Sequence, residues 1–422
     1  MENAILKSLE FSEKIKYRIM YLYSIAFILA SFLFDSFYGL VNGLVHIAMS
    51  PTLLLTDYLA IGGIGASLLN SGVLMLLTIF IARRNDALMN GPLIAAVFTV
   101  GGFAFFGKNI YNILGILLGV YIFSRIQKDH FTKYIIIAYF GTALSPIVSQ
   151  VSFGMGFGVF PGIVLGVGAG LVIGLILPPL ASSFVRFHQG FNLYNIGFTS
   201  GIIGMILMSV FRLSGYDHSL NQIIVTETSI PLLVLLVLYF FSMILVGLIT
   251  SKNSWKEYRS LLKNPGRLVT DFVSLHGFST SILNMGVLGL LGILLVSLLQ
   301  GPINGPIIGG IFTLVGFGSF GKHPGNSLPI MVGVLVAGLI AGLPFSSTGF
   351  LLTVLFATTL APISGHYGYF AGILAGFLHL ALVSNLGYLH GGMNLYNNGF
   401  SGGFVAAFLV PIFESYKRER NL

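Results

Sequence analysis

Long apolar runs broken by short polar punctuation dominate the chain. Ile19 to Phe34, Tyr58 to Ala82 and Pro231 to Ile249 are the clearest, each near or above the ~20 apolar residues that cross a bilayer's hydrocarbon as a helix. Other breaks carry helix-start chemistry. Pro92 and Pro306 lack a backbone N–H and suit a first helical turn, where that donor has no intrahelical partner. Read this way, the pattern predicts about seven membrane segments per half at ordinary helix length. They start near Ile19, Tyr58, Pro92, Ile110, Tyr134, Gly156 and Phe191, then near Pro231, Phe272, Pro306, Ser327, Gly349, Tyr367 and Met393.

The pattern is written twice. Eleven of the nineteen residues from Asn90 to Lys108 recur unchanged from Asn304 to Lys322. Upstream, Pro51, Thr56, Asp57, Asn70 and Gly72 return in the same register as Pro265, Thr270, Asp271, Asn284 and Gly286. A second block, His188 to Gly201, matches His390 to Gly403 at nine of fourteen positions. Duplication on this scale marks membrane transport folds whose solute path lies on the axis relating the halves.

Lys and Arg collect in cytoplasmic loops, and here they separate equivalent loops. Ser251 to Arg267 holds Lys252, Lys256, Arg259, Lys263 and Arg267, whereas its counterpart Phe37 to Leu53 has neither Lys nor Arg. Conversely Arg83, Arg84, Arg125, Lys128, Lys133 and Arg186 lie in first-half loops, and a second-half counterpart such as Ala341 to Thr348 is free of basic residues. Equivalent loops therefore face opposite sides. The fold expected is an all-α membrane protein of two inverted-topology repeats, with the Asn-Gly-Pro to Gly-Lys segments either crossing fully or re-entering as hairpins. The divisions expected are a cytosolic amphipathic segment 1–18, a first repeat 19–212, an outer linker 213–228, a second repeat 229–413 and a basic cytosolic tail 414–422. Both termini fall on the cytosolic side of the cell membrane.

Composition narrows the classes. Of 422 residues, 55% are hydrophobic and 8% charged, far below the ~25% charge of soluble domains. The formal charge of +8 follows loop sidedness, so nucleic acid is not expected as a partner. The lipid bilayer is. The chain has no cysteine, which removes disulfides, thiol chemistry and Cys-based zinc sites. Met1 to Arg18 is too long and too mixed in charge for a signal-peptide n-region and reads as retained. No cofactor or metal is implied, and without clustered acids or histidines in the repeated blocks an enzyme is not expected. No Walker motif is present, so passive conduction or coupling to an unidentified ion remains; the sequence leaves homo-oligomerisation open.

The candidate chemistry sits on the repeated residues. Lys108 and Lys322 are kept in both copies although other basic residues track one side. Each either snorkels, pairs with Asp57 or Asp271 respectively, or supplies positive potential to an anionic solute; unpaired intramembrane charge costs roughly 2.5–3.5 kcal/mol on insertion scales. Asn192 and Asn195, like Asn394 and Asn397, share one face if helical. With Tyr194, Tyr396, Asn70, Asn284, Asn90 and Asn304 they offer the donors and acceptors that a small polar solute needs. Gly197 with Gly201, and Gly399 with Gly403, allow close helix approach. His188 and His390 read as interfacial hydrogen-bonding residues.

These motifs resemble those of an uncharacterised family of bacterial integral membrane proteins filed as a domain of unknown function; that resemblance implies a fold without an activity. In architecture, paired halves with Gly-Phe-Asn or Asn-Gly near a helix start are also similar to the urea-transporter channels, which implies a small neutral solute. That group carries Leu-Pro-Phe-Asn in each half, whereas here Leu343-Pro344-Phe345-Ser346 approximates it once, without the Asn. The leading expectation is a transporter or channel for a small polar, anionic solute. A urea-like channel and a membrane scaffold without a solute path are the alternatives.

Overall fold

A computed structural model describes residues 11–216, 223–251, 253–268 and 270–420, with side chains up to Tyr416. Much of the expected lead-in, Asp217 of the linker, Lys252 and the basic side chains of the tail lie outside the described residues. What is described is helical. The first half runs α1 (Glu13–Ser31), α2 (Phe37–Met49), α3 (Tyr58–Arg84), α4 (Gly91–Phe103), α5 (Ile110–Ile126), α6 (Ile135–Gly154), α7 (Val159–Phe184) and α8 (Asn195–Leu213). The second runs α9 (Ile230–Thr250), α10 (Ser254–Leu261), α11 (Phe272–His276), α12 (Phe278–Leu298), α13 (Gly305–Gly316), α14 (Pro324–Ile340), α15 (Thr348–Tyr367), α16 (Tyr369–Val383), α17 (Gly387–His390) and α18 (Asn397–Arg420).

Among the described residues, eight helices are long and apolar enough to cross a membrane: α3, α6, α7, α8, α9, α12, α15 and α18. About fourteen segments of ordinary helix length are expected from the sequence, and eight reach that length. Segments at Pro92, Ile110, Pro306, Ser327 and Tyr367 form helices, but shorter ones of 10–17 residues. Exposed apolar side chains such as Leu29, Phe160, Ile249, Leu339 and Phe370 ring the outside, where lipid tails in place of water remove the cost of exposing them. The protein is a multi-pass, helical membrane protein.

The same breaks recur in both halves because the same residues impose them. Gly63 interrupts α3 at φ 84° and ψ 170°, and Gly277 separates α11 from α12 at φ 84° and ψ 157°. This region of backbone space is essentially closed to side chains. Helices α4 and α13 start identically: Asn90 Oδ1 accepts the Leu93 N–H (3.0 Å), Asn304 Oδ1 accepts the Ile307 N–H (3.1 Å), and a proline follows. Both stop early. At 13 and 12 residues they span about 20 Å, short of the ~30 Å hydrocarbon core.

Helices α4 and α13 lie side by side and antiparallel. A Cβ on Gly102 would stand 2.5 Å from Phe312 Cβ, and one on Gly316 would stand 2.9 Å from Phe98 Cβ. Each start meets the other's end, since Ser319 Oγ donates to the Gly91 carbonyl (2.9 Å) and Gly305 abuts the Phe105 carbonyl. Helices α8 and α18 cross where Gly197 and Gly399 allow it, a Cβ on Gly399 standing 3.0 Å from Gly197 Cα.

Gly63→Ala and Gly277→Ala should each destabilise the protein by ~1–3 kcal/mol through backbone strain alone, because no atom lies closer than 3.9 Å to a Cβ built at Gly63 and none within 4 Å at Gly277. Thermal unfolding in detergent checks this; unchanged midpoints in both variants would refute it.

Candidate functional site

The carboxylates expected beside the lysines are engaged elsewhere. Asp57 Oδ1 accepts the Leu59 N–H (2.9 Å) and the Gly305 N–H (3.1 Å), while Oδ2 accepts the Val225 N–H (3.0 Å). Asp271 Oδ1 accepts the Val273 N–H (3.0 Å) and the Gly91 N–H (2.9 Å), and Oδ2 accepts from Ser274. Each acid therefore caps its own helix and the first turn of the half-length helix from the opposite half. A helix start exposes free N–H groups and positive potential, which suits a carboxylate. The Asp57–Lys108 and Asp271–Lys322 pairings entertained from spacing are absent for this reason.

Asn70 and Asn284 do the matching work at the helix ends. Asn70 Nδ2 donates to the carbonyls of Ala104 (2.7 Å) and Lys108 (2.8 Å); Asn284 Nδ2 donates to Gly318 (2.7 Å) and Lys322 (2.8 Å). Asn112 and Asn326 donate to Gly107 and Gly321 at 2.9 Å in both copies. These amides satisfy carbonyls that the early helix ends leave free. Asn90 and Asn304 hold the opposite ends of the same short helices.

Lys108 and Lys322 are fully buried, and among the described residues neither has a carboxylate partner. Their surroundings differ. Lys322 Nζ donates to Tyr194 Oη (2.5 Å) and Thr358 Oγ1 (2.7 Å) and sits 4.4 Å from the Tyr194 ring centroid. Lys108 Nζ makes one long contact with the Tyr139 carbonyl (3.5 Å) and lies 4.9 Å from the Phe103 ring.

Between them runs a line of rings. Phe103 meets Tyr396 at 4.7 Å between centroids, Tyr396 meets Tyr194 at 4.9 Å, and Tyr194 meets Phe317 at 4.8 Å. The Tyr396 hydroxyl faces Thr99 and Thr313 without completing a hydrogen bond. A cavity of about 140 Å³ borders Tyr194, Tyr396, Asn195, Phe317, Pro92 and Leu268, enough for a few waters or one small solute at ~30 Å³ per water.

The four motif asparagines do not share helix faces as their spacing predicted. Asn192 and Asn394 lie in non-helical chain before α8 and α18, which begin at Asn195 and Asn397. Asn192 Nδ2 donates to the Gly399 carbonyl (2.9 Å) and its Oδ1 accepts from Thr359 Oγ1 (2.5 Å), whereas Asn195 bonds His188 Nε2 (3.0 Å) and the Ala181 carbonyl (3.1 Å). The structure thus brings together Lys108, Lys322, Tyr194 and Tyr396, and gives Asn70, Asn284, Asn90, Asn304, Asp57 and Asp271 to backbone groups. Thr99, Thr313, Phe103 and Phe317 recur in the repeat, but they carry no charge to single them out in the sequence. Thr358 lies outside the aligned blocks.

The chain belongs to the family described as "Protein of unknown function (DUF1576)", which matches residues 38–213 and 250–415. Two matched regions coincide with the two halves. No curated protein and no solved structure matches.

If Asp57 caps helices and is uncoupled from Lys108, the stability losses of Asp57→Asn and Lys108→Met should add to within ~0.5 kcal/mol, with Asp57→Asn alone costing about 1.5–3 kcal/mol. A double-mutant cycle by thermal unfolding measures this. Coupling well above that margin would restore the ion pair.

Proposed function

We propose that the protein is a membrane transporter or channel for a small polar solute of the anionic class, whose path passes between two inverted repeats at Tyr194 and Tyr396. The observation that carries the reading is the pair of buried lysines without carboxylate partners, held at equivalent ends of antiparallel half-length helices. An ammonium in a low-dielectric interior attracts an oxyanion more strongly than in water, and an incoming anion offsets the desolvation that the empty site leaves uncompensated. Inversion is supported by the one-sided basic residues and by reciprocal capping of α4 and α13, and re-entry of those helices by their length. Discontinuous helices near the junction of repeats are the usual place for a solute in such folds.

Lys322 favours a second reading. Its ammonium is already satisfied by two hydroxyls, and an aromatic lane bearing hydroxyls also suits a neutral polar solute.

Two outcomes test the proposal. Lys108→Met and Lys322→Met should each weaken uptake of small carboxylates or oxyanions into proteoliposomes at least about thirtyfold, the equivalent of ~2 kcal/mol, while the protein stays folded and monodisperse. The double variant should be no worse than either single one. Normal flux in both would point to the neutral solute. For topology, the cysteine-free background allows single cysteines at Val45 and Ser260 to be labelled with an impermeant reagent. Labelling from opposite faces is expected, and labelling of both from one face would contradict inversion.

A further inference from the structure

The cavity of about 140 Å³ beside Tyr194 and Tyr396 is walled mostly by buried side chains, but Pro92, Ile136, Asn195 and Leu268 in its lining keep partial exposure. All four adjoin basic loops. Pro92 and Asn195 stand in the first turns of α4 and α8, after Arg84 and Arg186 respectively, Ile136 comes three residues after Lys133, and Leu268 follows Arg267.

The equivalent positions toward the other face are covered. Helices α6 and α15 align at Phe140, Thr142, Leu144, Pro146 and Ile147 with Phe356, Thr358, Leu360, Pro362 and Ile363, which makes Leu352 the counterpart of Ile136. Leu352 is 4% exposed, Asn397, opposite Asn195, is 7% exposed, and Pro306, opposite Pro92, is buried. Of the four counterparts only Leu54, opposite Leu268, keeps partial exposure. The chain leading into α9 accounts for the cover. The Ile223 carbonyl accepts the Asp57 N–H (2.8 Å), the Val225 N–H donates to Asp57 Oδ2 (3.0 Å), the Val225 carbonyl accepts from Asn304 Nδ2 (3.1 Å), and Thr228 Oγ1 accepts the Ile303 N–H (2.9 Å). These bonds lay residues 223–228 across the start of α13. On the basic face Oδ2 of the matching acid, Asp271, takes the Ser274 hydroxyl of its own helix instead.

Arg267 stands on the open side. The Leu268 N–H donates to the Gly190 carbonyl (3.0 Å), and a Cβ built on Gly190 would lie 3.4 Å from Leu268 Cβ and 3.5 Å from Arg267 Nε. Arg267 Nε and Nη2 both donate to the Gln189 carbonyl (2.9 and 2.6 Å), and the guanidinium sits 4.6 Å from the Phe191 ring centroid. The side chain is exposed, and among the described residues it pairs with no carboxylate. Its counterpart in the first half is Leu53, uncharged and buried.

We propose that solute meets the central cavity from the basic face, through a mouth framed by Pro92, Ile136, Asn195 and Leu268, and that Arg267 selects small anions there. A fixed cation at the rim of an apolar, low-dielectric mouth raises the local concentration of anions and lowers that of cations. The Gln189 carbonyl and the Phe191 ring hold the charge in place, and no acid cancels it. This rests on the reading of the protein as an anion passage, but its test reads access and charge and needs no flux.

In the cysteine-free protein reconstituted in liposomes, Ile136→Cys and, separately, Leu352→Cys are treated with an impermeant, negatively charged methanethiosulfonate reagent. Ile136→Cys should react from the same face as Ser260→Cys, and at least about tenfold faster than Leu352→Cys from either face, the ratio that 1.4 kcal/mol of differential access represents. Should either variant misfold, Asn195→Cys and Asn397→Cys give the same comparison. Adding Arg267→Gln to Ile136→Cys should slow the anionic reagent and speed a cationic one, so that the ratio of the two rates falls about threefold or more at low salt; Arg267→Lys should keep the ratio. Loosened packing would move both rates alike. Equal rates for Ile136→Cys and Leu352→Cys, or labelling of Ile136→Cys from the face that labels Val45→Cys, would overturn the mouth, and a ratio indifferent to Arg267→Gln would overturn the role of its charge. Either failure, beside lost flux in the lysine variants, would leave the central passage standing.

Discussion

A helix that stops inside a membrane protein leaves its first amides and last carbonyls without partners, and no water is at hand to take them. This architecture depends on how those groups are satisfied. Asp57 and Asp271 each reach across the molecule to the first turn of the other half's short helix. Asn70, Asn112 and their counterparts Asn284 and Asn326 hold the carbonyls at the far ends. Capping is thereby also what joins the halves: removing an acid frees an N–H in its own half and another in its partner half.

The caps set the electrostatics of the centre. With the carboxylates turned to backbone amides, Lys108 and Lys322 are left among rings, hydroxyls and carbonyls. An ion pair within each half would have neutralised them. Their contrast matters as much as their burial, because the sequence makes the two sites equivalent while Lys322 has two hydroxyl partners and Lys108 one distant carbonyl.

Much of this was legible in the residues. The duplication, the helix starts at Pro92 and Pro306, and the segment starts near Tyr58, Ile110, Tyr134 and Gly349 follow from apolar runs and local caps, which act over a few residues. Three features were not. Asp57 lies one residue before a helix and reads as an ordinary N-cap, so its second partner, Gly305, is invisible to local pattern. Asn192 and Asn195 fit a helical spacing, but Asn192 bonds to Gly399 and Thr359 from another part of the chain, and those bonds hold it ahead of the helix. Apolar runs do not fix helix length, and α5, α14 and α16, at 17, 17 and 15 residues, fall at or below the short end of the spanning range. Each discrepancy arises where a long-range hydrogen bond or a packed neighbour overrides a local preference.

The most direct test of the central claim is an experimental density map of the protein in lipid nanodiscs, at a resolution that resolves ordered water. The account predicts non-protein density in the space bordered by Tyr194 and Tyr396, with Asp57 and Asp271 still on the starts of α13 and α4. A dry, fully packed centre in which each lysine meets the aspartate of its own half would contradict it.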